Sequence, residues 1–169
     1  GRARLVCADL EALPFRQCFD GVFSTATFHW GKDHDLLFRE LYRVLAPGGL
    51  FAACCYSLLE VEQAFDALLR ELHDVTLAAD WPPPRAHVLD GYRSLPLPYQ
   101  EEPFPAFALE AELSCNATLG YLATWSAVQA HRRRTGSDPL LALAPALQRA
   151  WGEPEARVVR WPLHVRVAR

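Results

Sequence analysis

Methionine is absent from this 169-residue chain, which opens on Gly1. A natural full-length product normally starts with methionine, so the sequence is expected to be a fragment, an alternative product or a partial sequence. Basic residues are not in excess: 17 Lys and Arg stand against 20 Asp and Glu, which excludes the strongly basic face that nucleic-acid binding needs. Arg132-Arg133-Arg134, a short basic run, reads as a solvated helix end. Apolar runs stop short of the roughly 18 residues that a membrane span requires. The first residues lead into a strand-like run, with no signal-peptide pattern. Zinc spacing is missing too: Cys7, Cys18, Cys54, Cys55 and Cys115 contain no C-x-x-C pair. They read as free buried thiols in a reducing compartment, and a cytoplasmic location is expected.

What is present suits one domain with a real core, since 51% of residues are hydrophobic. Residues 4–8 form a short apolar run ending at Asp9, expected as a buried strand with a carboxylate at its C-terminal end. Residues 20–25 are a second β-prone run. A helix follows, capped by Asp33 or Asp35 and carrying Leu36, Leu37, Leu41, Val44 and Leu45 at helical spacing. Pro47-Gly48-Gly49 is a stop and turn signal. Residues 50–56 are almost wholly apolar, as in a strand covered on both faces. This alternation predicts an α/β layered domain.

Further along, residues 58–76 read as an amphipathic helix. Residues 80–107 hold seven prolines and read as an extended cap or insertion with one short helix near Arg85–Leu89. Disorder is the competing reading, against which stand the aromatics Trp81, Tyr92, Tyr99, Phe104 and Phe107. A strand at 108–115, a helix at 118–134 ended by Gly136, a helix opened by Asp138-Pro139 and a last strand at 157–167 complete the pattern. In that strand Val159, Trp161, Leu163, Val165 and Val167 alternate with more polar residues, and Pro162 suggests an edge or a bulge.

Three stretches then resemble one family. Ala8-Asp9-Leu10-Glu11-Ala12-Leu13-Pro14-Phe15 is similar to the "A-D-x-E-x-L-P-F" segment of class I S-adenosylmethionine-dependent methyltransferases of the type 11 domain. Phe19 to Thr25, followed by Phe28-His29-Trp30, resembles their fourth strand and its exit loop. Arg43-Val44-Leu45-Ala46-Pro47-Gly48-Gly49 resembles their "R-V-L-x-P-G-G" helix-to-strand turn. His29-Trp30, Thr124-Trp125-Ser126 and Trp161-Pro162-Leu163 add a likeness to the trans-aconitate methyltransferase subgroup. The resemblance implies a Rossmann-like doubly wound sheet, of which strands three to seven of seven are expected here. The family's glycine-rich G-x-G loop and the ribose-binding acid of its second strand are not found in the sequence. One partial domain, N-terminally truncated, is therefore expected over residues 1–169.

The same resemblance implies S-adenosyl-L-methionine as cofactor and a small-molecule acceptor as partner, with no membrane; it fixes neither the acceptor atom nor an oligomeric state. Asp9 would accept from the adenine amino group, or serve only as a turn cap. Leu10 would lie on the adenine, with the Glu11 backbone near the ring. Thr25, Ala26 and Thr27 would meet the methionine part at the strand end, where ligands of doubly wound sheets sit. Trp30 could face the sulfonium or wall the acceptor pocket. His29 could orient an acceptor, act as a base, or be structural. Tyr56, Tyr121 and Trp125 are candidates for the acceptor pocket, and Arg132 or Arg133 would suit a carboxylate. A second reading is an inactive fragment acting as a fold-only or interaction module, and a third is a dinucleotide oxidoreductase, which would also need a glycine-rich turn.

Overall fold

A computed structural model describes residues 3–98, 100–153 and 155–169, so the Tyr99 packing expectation lies outside the described residues. The chain divides into two compact units: Gly1–Ser57, Ala86–Phe107 and Leu163–Arg169 form the first, and Leu58–Arg85 with Ala108–Pro162 form the second.

In the first unit β1 (Phe19–Thr25) runs parallel to β2 (Leu45–Tyr56), with Val22 opposite Phe51 and Thr25 opposite Cys54. Between them comes α1 (His34–Val44), opened by Asp33, whose side chain accepts from Leu36 N at 2.9 Å. The Pro47-Gly48-Gly49 turn lies inside β2, where the register jumps from Phe19–Leu45 to Gly21–Leu50. Gly48 takes a left-handed φ of 75°, which a glycine adopts without steric cost. The last residues of β5 (Ala156–Ala168) pair antiparallel with β2, and the two-residue β3 (Glu101–Glu102) pairs with β5 in turn. The sheet order is β1-β2-β5-β3. Leu37, Phe38, Leu41 and Val44 make one buried stripe on α1. Phe28 stacks on Phe51 at 5.6 Å, and Phe38 meets Phe51 edge-on at 5.9 Å, so three rings centre this core.

Residues 86–97 pack in part on the first unit's core, whereas Phe104 and Phe107, expected to pack, are 47% and 49% exposed. The short helix α3 (Arg85–Leu89) is present, and Val88, Tyr92 and Leu95 behind it are buried with the first unit's core.

The second unit holds α2 (Gln63–Glu71), continued by a π-helical turn over Leu72–Thr76, then β4 (Phe107–Ser114), α4 (Cys115–Ala123), α5 (Ser126–Thr135) and α6 (Pro139–Trp151). β4 pairs with β5. Leu59, Phe65, Leu69, Leu122, Leu147 and Trp151 are buried together. Ser114 caps α4, Gly136 closes α5 in a left-handed conformation (φ 73°), and Asp138 caps α6 with Pro139 in its first turn.

Several expectations are corrected. Residues 4–8 form no strand: Leu5 is 97% exposed and Val6 57%. A short apolar run becomes a strand only when a neighbour takes its backbone bonds, and no described residue pairs with this one. The helix expected from residue 58 starts at Gln63, because Glu60 exchanges backbone hydrogen bonds with Arg160 at 2.7 and 2.9 Å. The helix expected over 118–134 is broken in two. Thr124 Oγ1 donates back to Tyr121 O at 2.7 Å, and Trp125 is extended at ψ 135°. Cys7 and Cys18 are exposed, and only Cys54 and Cys55 are fully buried.

Candidate functional site

The C-terminal end of β1 is built by a backbone kink. Ala26 N donates to Cys54 O at 2.8 Å, extending the pairing one residue past Thr25. Ala26 itself is left-handed, with φ 48°. That conformation costs a residue with a Cβ about 1–2 kcal/mol and turns the chain sharply out of the sheet. Thr27 Oγ1 donates to Thr25 O at 2.8 Å, and Trp30 N donates to Thr27 O at 3.0 Å, closing a 3-10 turn over Phe28–Trp30. Phe28 anchors the turn in the aromatic core. His29 is thereby carried inside, 6% exposed, and Trp30 is carried out, 56% exposed.

His29 has a partner that the sequence pattern did not reveal. Its Nδ1 lies 2.9 Å from the Tyr92 hydroxyl, and the rings are 5.9 Å apart. Tyr92 is 1% exposed and left-handed, with φ 65°. Burial pushes its phenol above the usual range, the thiols of Cys55 and Cys54 adding to the effect, while the nearby backbone of His29 and Thr27 works against it. The hydroxyl therefore stays protonated at neutral pH. It can be sought in the sequence only through the Asp90-Gly91 turn that places it, since the partners stand 63 residues apart.

Asp9 opens a turn rather than ending a strand. Its Oδ1 accepts from Glu11 N at 2.9 Å and its carbonyl from Ala12 N at 3.2 Å. Asp9 is exposed, while Leu10 is half-buried against the aromatic core. Glu11 Oε1 accepts from Lys32 N at 2.6 Å and Asp33 N at 3.0 Å, which ties this turn to the chain just past Trp30. Downstream, Glu40 accepts from Leu13 N at 2.9 Å, and Arg43 donates to the carbonyls of Leu13 and Phe15 at 2.7 and 2.6 Å. The Arg43 guanidinium, helped by the Leu13 amide, holds the Glu40 carboxyl down at about 2. The three sequence stretches are thus physically joined.

Comparison with known proteins follows the same residues. A family profile described as a methyltransferase domain matches residues 1–53. The malonyl-acyl-carrier-protein O-methyltransferase of Salmonella typhimurium is 37% identical over 93 residues, 52% of this chain and 36% of that protein. The enzyme of the same name from Halorhodospira halophila is 49% identical over 49 residues, 28% of this chain and 17% of that protein. The chain thus spans only a minor part of the curated relatives it matches. A solved structure of a proposed type II methyltransferase from Anaeromyxobacter dehalogenans superposes with a TM-score of 0.84 at 46% identity, covering 96% of this chain and 69% of that one. The chain belongs to the class I S-adenosylmethionine-dependent methyltransferase family.

Within this methyltransferase chain the expected pocket residues belong to both units. Tyr56 ends β2 in the first unit and is 37% exposed. Tyr121 and Trp125 belong to the second unit, in an aromatic cluster with Trp81 and Trp161; the Tyr121 hydroxyl accepts from Trp161 Nε1 at 3.2 Å. Arg132 is committed to Asp138 at 2.5 Å, and Arg134 to Asp80 at 2.6 Å. Among the described residues no helix is long and apolar enough to cross a membrane.

Proposed function

We propose that this chain supplies the adenine-side turn and the methyl-transfer rim of an S-adenosyl-L-methionine-dependent methyltransferase acting on a small-molecule or carrier-linked acceptor. The observation that carries the reading is the Glu11 tie, which sets the turn at residues 9–12 beside the 25–33 loop of the β1 exit. The cofactor, when bound, supplies an electrophilic methyl carbon on its sulfonium, and the protein's task is position and exclusion of water.

The residues suit such a group. One oxygen of exposed Asp9 is taken by its own turn; the other has no partner among the described residues and can accept from an adenine amino group. Leu10 offers an apolar wall, and the Glu11 carboxylate holds the frame. The backbone of Thr25, Ala26 and Thr27 borders the methionine part. Trp30 presents an exposed indole face to a cation. His29, held by Tyr92, acts as a positioning residue for that indole, 4.8 Å away ring to ring. Tyr56 borders the acceptor side. Five thiols without a disulfide fit the reducing cytoplasm.

Calorimetric titration of this chain with S-adenosylhomocysteine tests the reading. Saturable binding is expected, weakened roughly tenfold by Asp9→Ala and by Trp30→Ala. An unchanged affinity in Asp9→Ala removes Asp9 from the site. Absence of any saturable heat favours the second reading, a fold-only or partner-binding piece, to which the exposed Leu5, Val6 and Phe23 lend support.

A further inference from the structure

Beyond the end of β2 the first unit builds a polar cluster that the residues above do not use. Ser57 Oγ lies 2.5 Å from His164 Nε2. His164 stands opposite Cys55 in the β2–β5 ladder. Gly91 (φ 67°) crosses its ring so closely that a Cβ there would meet Cγ and Nδ1 at 2.9 Å. Nδ1 has no hydrogen-bond partner among the described residues, and His164 lines a cavity of about 350 Å³ together with Arg93, Glu101, Phe104 and Arg166.

The cations of this cavity are not equivalent. Arg166 donates to both oxygens of Glu101 and to the carbonyls of Tyr92 and Leu95, so its fork is filled and its charge cancelled. Arg166 in turn holds the Glu101 carboxyl below the usual carboxylate range. The Arg93 guanidinium has no hydrogen-bond or ion-pair partner among the described residues. Arg166 and Glu101 sum to zero, so Arg93 leaves the cavity with one net positive charge. If the Ser57 hydroxyl donates to Nε2, the His164 proton sits on Nδ1 and is a donor as well. Two unsatisfied donors and one net positive charge call for an acceptor-only monoanion. A phosphate dianion would bring a second charge with no cation to meet it.

We propose that this cavity recognises the carboxylate of a small monoanionic ligand, with Arg93 forking onto its oxygens and His164 Nδ1–H donating to it. The volume lies near the lower end of the range of about 300–1,000 Å³ usual for small-molecule sites. Carboxylate binding is measured without cofactor and so stands or fails separately from the methyl-transfer reading.

The test is a proton–nitrogen NMR titration of this chain with sodium propionate, propionamide and inorganic phosphate, following the Arg93 Nε and His164 ring signals. Saturable shifts at both residues with propionate, little response to propionamide, and affinity lost roughly tenfold in Arg93→Gln and less in Arg93→Lys are expected. Arg93 is exposed, and circular dichroism checks that both variants fold. Equal shifts with propionamide, tighter binding of phosphate, no saturable shift, or an Arg93→Gln affinity like that of the parent chain would each overturn the proposal.

Discussion

Tyr92 carries the β1 exit loop on one hydroxyl. Its hydroxyl pairs with Nδ1 of buried His29, and losing a hydrogen bond at a buried polar group costs about 1–3 kcal/mol. Tyr92→Phe is therefore expected to lower unfolding free energy by about 1–2 kcal/mol in urea denaturation, with the two-state slope unchanged. Ala26 stores strain at the opposite end of the same loop. Ala26→Gly releases the left-handed penalty of about 1–2 kcal/mol and adds about 0.5–1 kcal/mol of backbone entropy cost, so a net gain of about 0.5–1 kcal/mol is expected in the same assay. A loss there would mean that the kink is held by something other than its own geometry. Gly91 behaves in the reverse sense. Gly91→Ala puts a Cβ into the His164 ring at a positive φ, and a loss of more than about 1 kcal/mol is expected, together with a change in the His164 ring resonances.

At the scale of elements, α5 is pinned at its C-terminal end. Asp80 accepts from Arg134 at 2.7 and 2.6 Å and lies 2.8 Å from His131 Nδ1. The Arg134 hydrogen bonds, aided by His131, hold the Asp80 carboxyl down at about 2, against an ordinary value of 3.8. A depressed carboxylate stabilises the fold above its unfolded value and loses that contribution as pH falls through the folded one. Melting temperature is thus expected to fall between pH 3.8 and about 2 more steeply in the parent chain than in Asp80→Asn. Parallel slopes would remove Asp80 from the acid response. Glu40 and Arg43 do the corresponding work for α1, fastening residues 13–15 along the helix.

At the scale of the whole molecule, legibility followed the range of the forces involved. The α1 cap at Asp33, the α6 cap at Asp138 and the closing Gly136 were readable because a cap is satisfied within three or four residues. The apolar run of β2 was readable because burial on both faces leaves no polar alternation. The run at residues 4–8 misled for the complementary reason: apolar composition says that a segment seeks cover, not that cover is at hand. The break at Thr124 and Trp125 divided a helix that periodicity had joined, at a side-chain hydrogen bond that apolar spacing does not reveal.

By itself the sequence determined the α/β class and the family, because these rest on spacing and on motifs a few residues long. Tertiary structure alone decided that Glu11 clasps the chain beyond Trp30, that His29 is held by Tyr92, and that Glu101 spends Arg166 while Arg93 stays open. The physical reason is that a charge or a polar atom becomes available or is used up only through partners brought from tens of residues away.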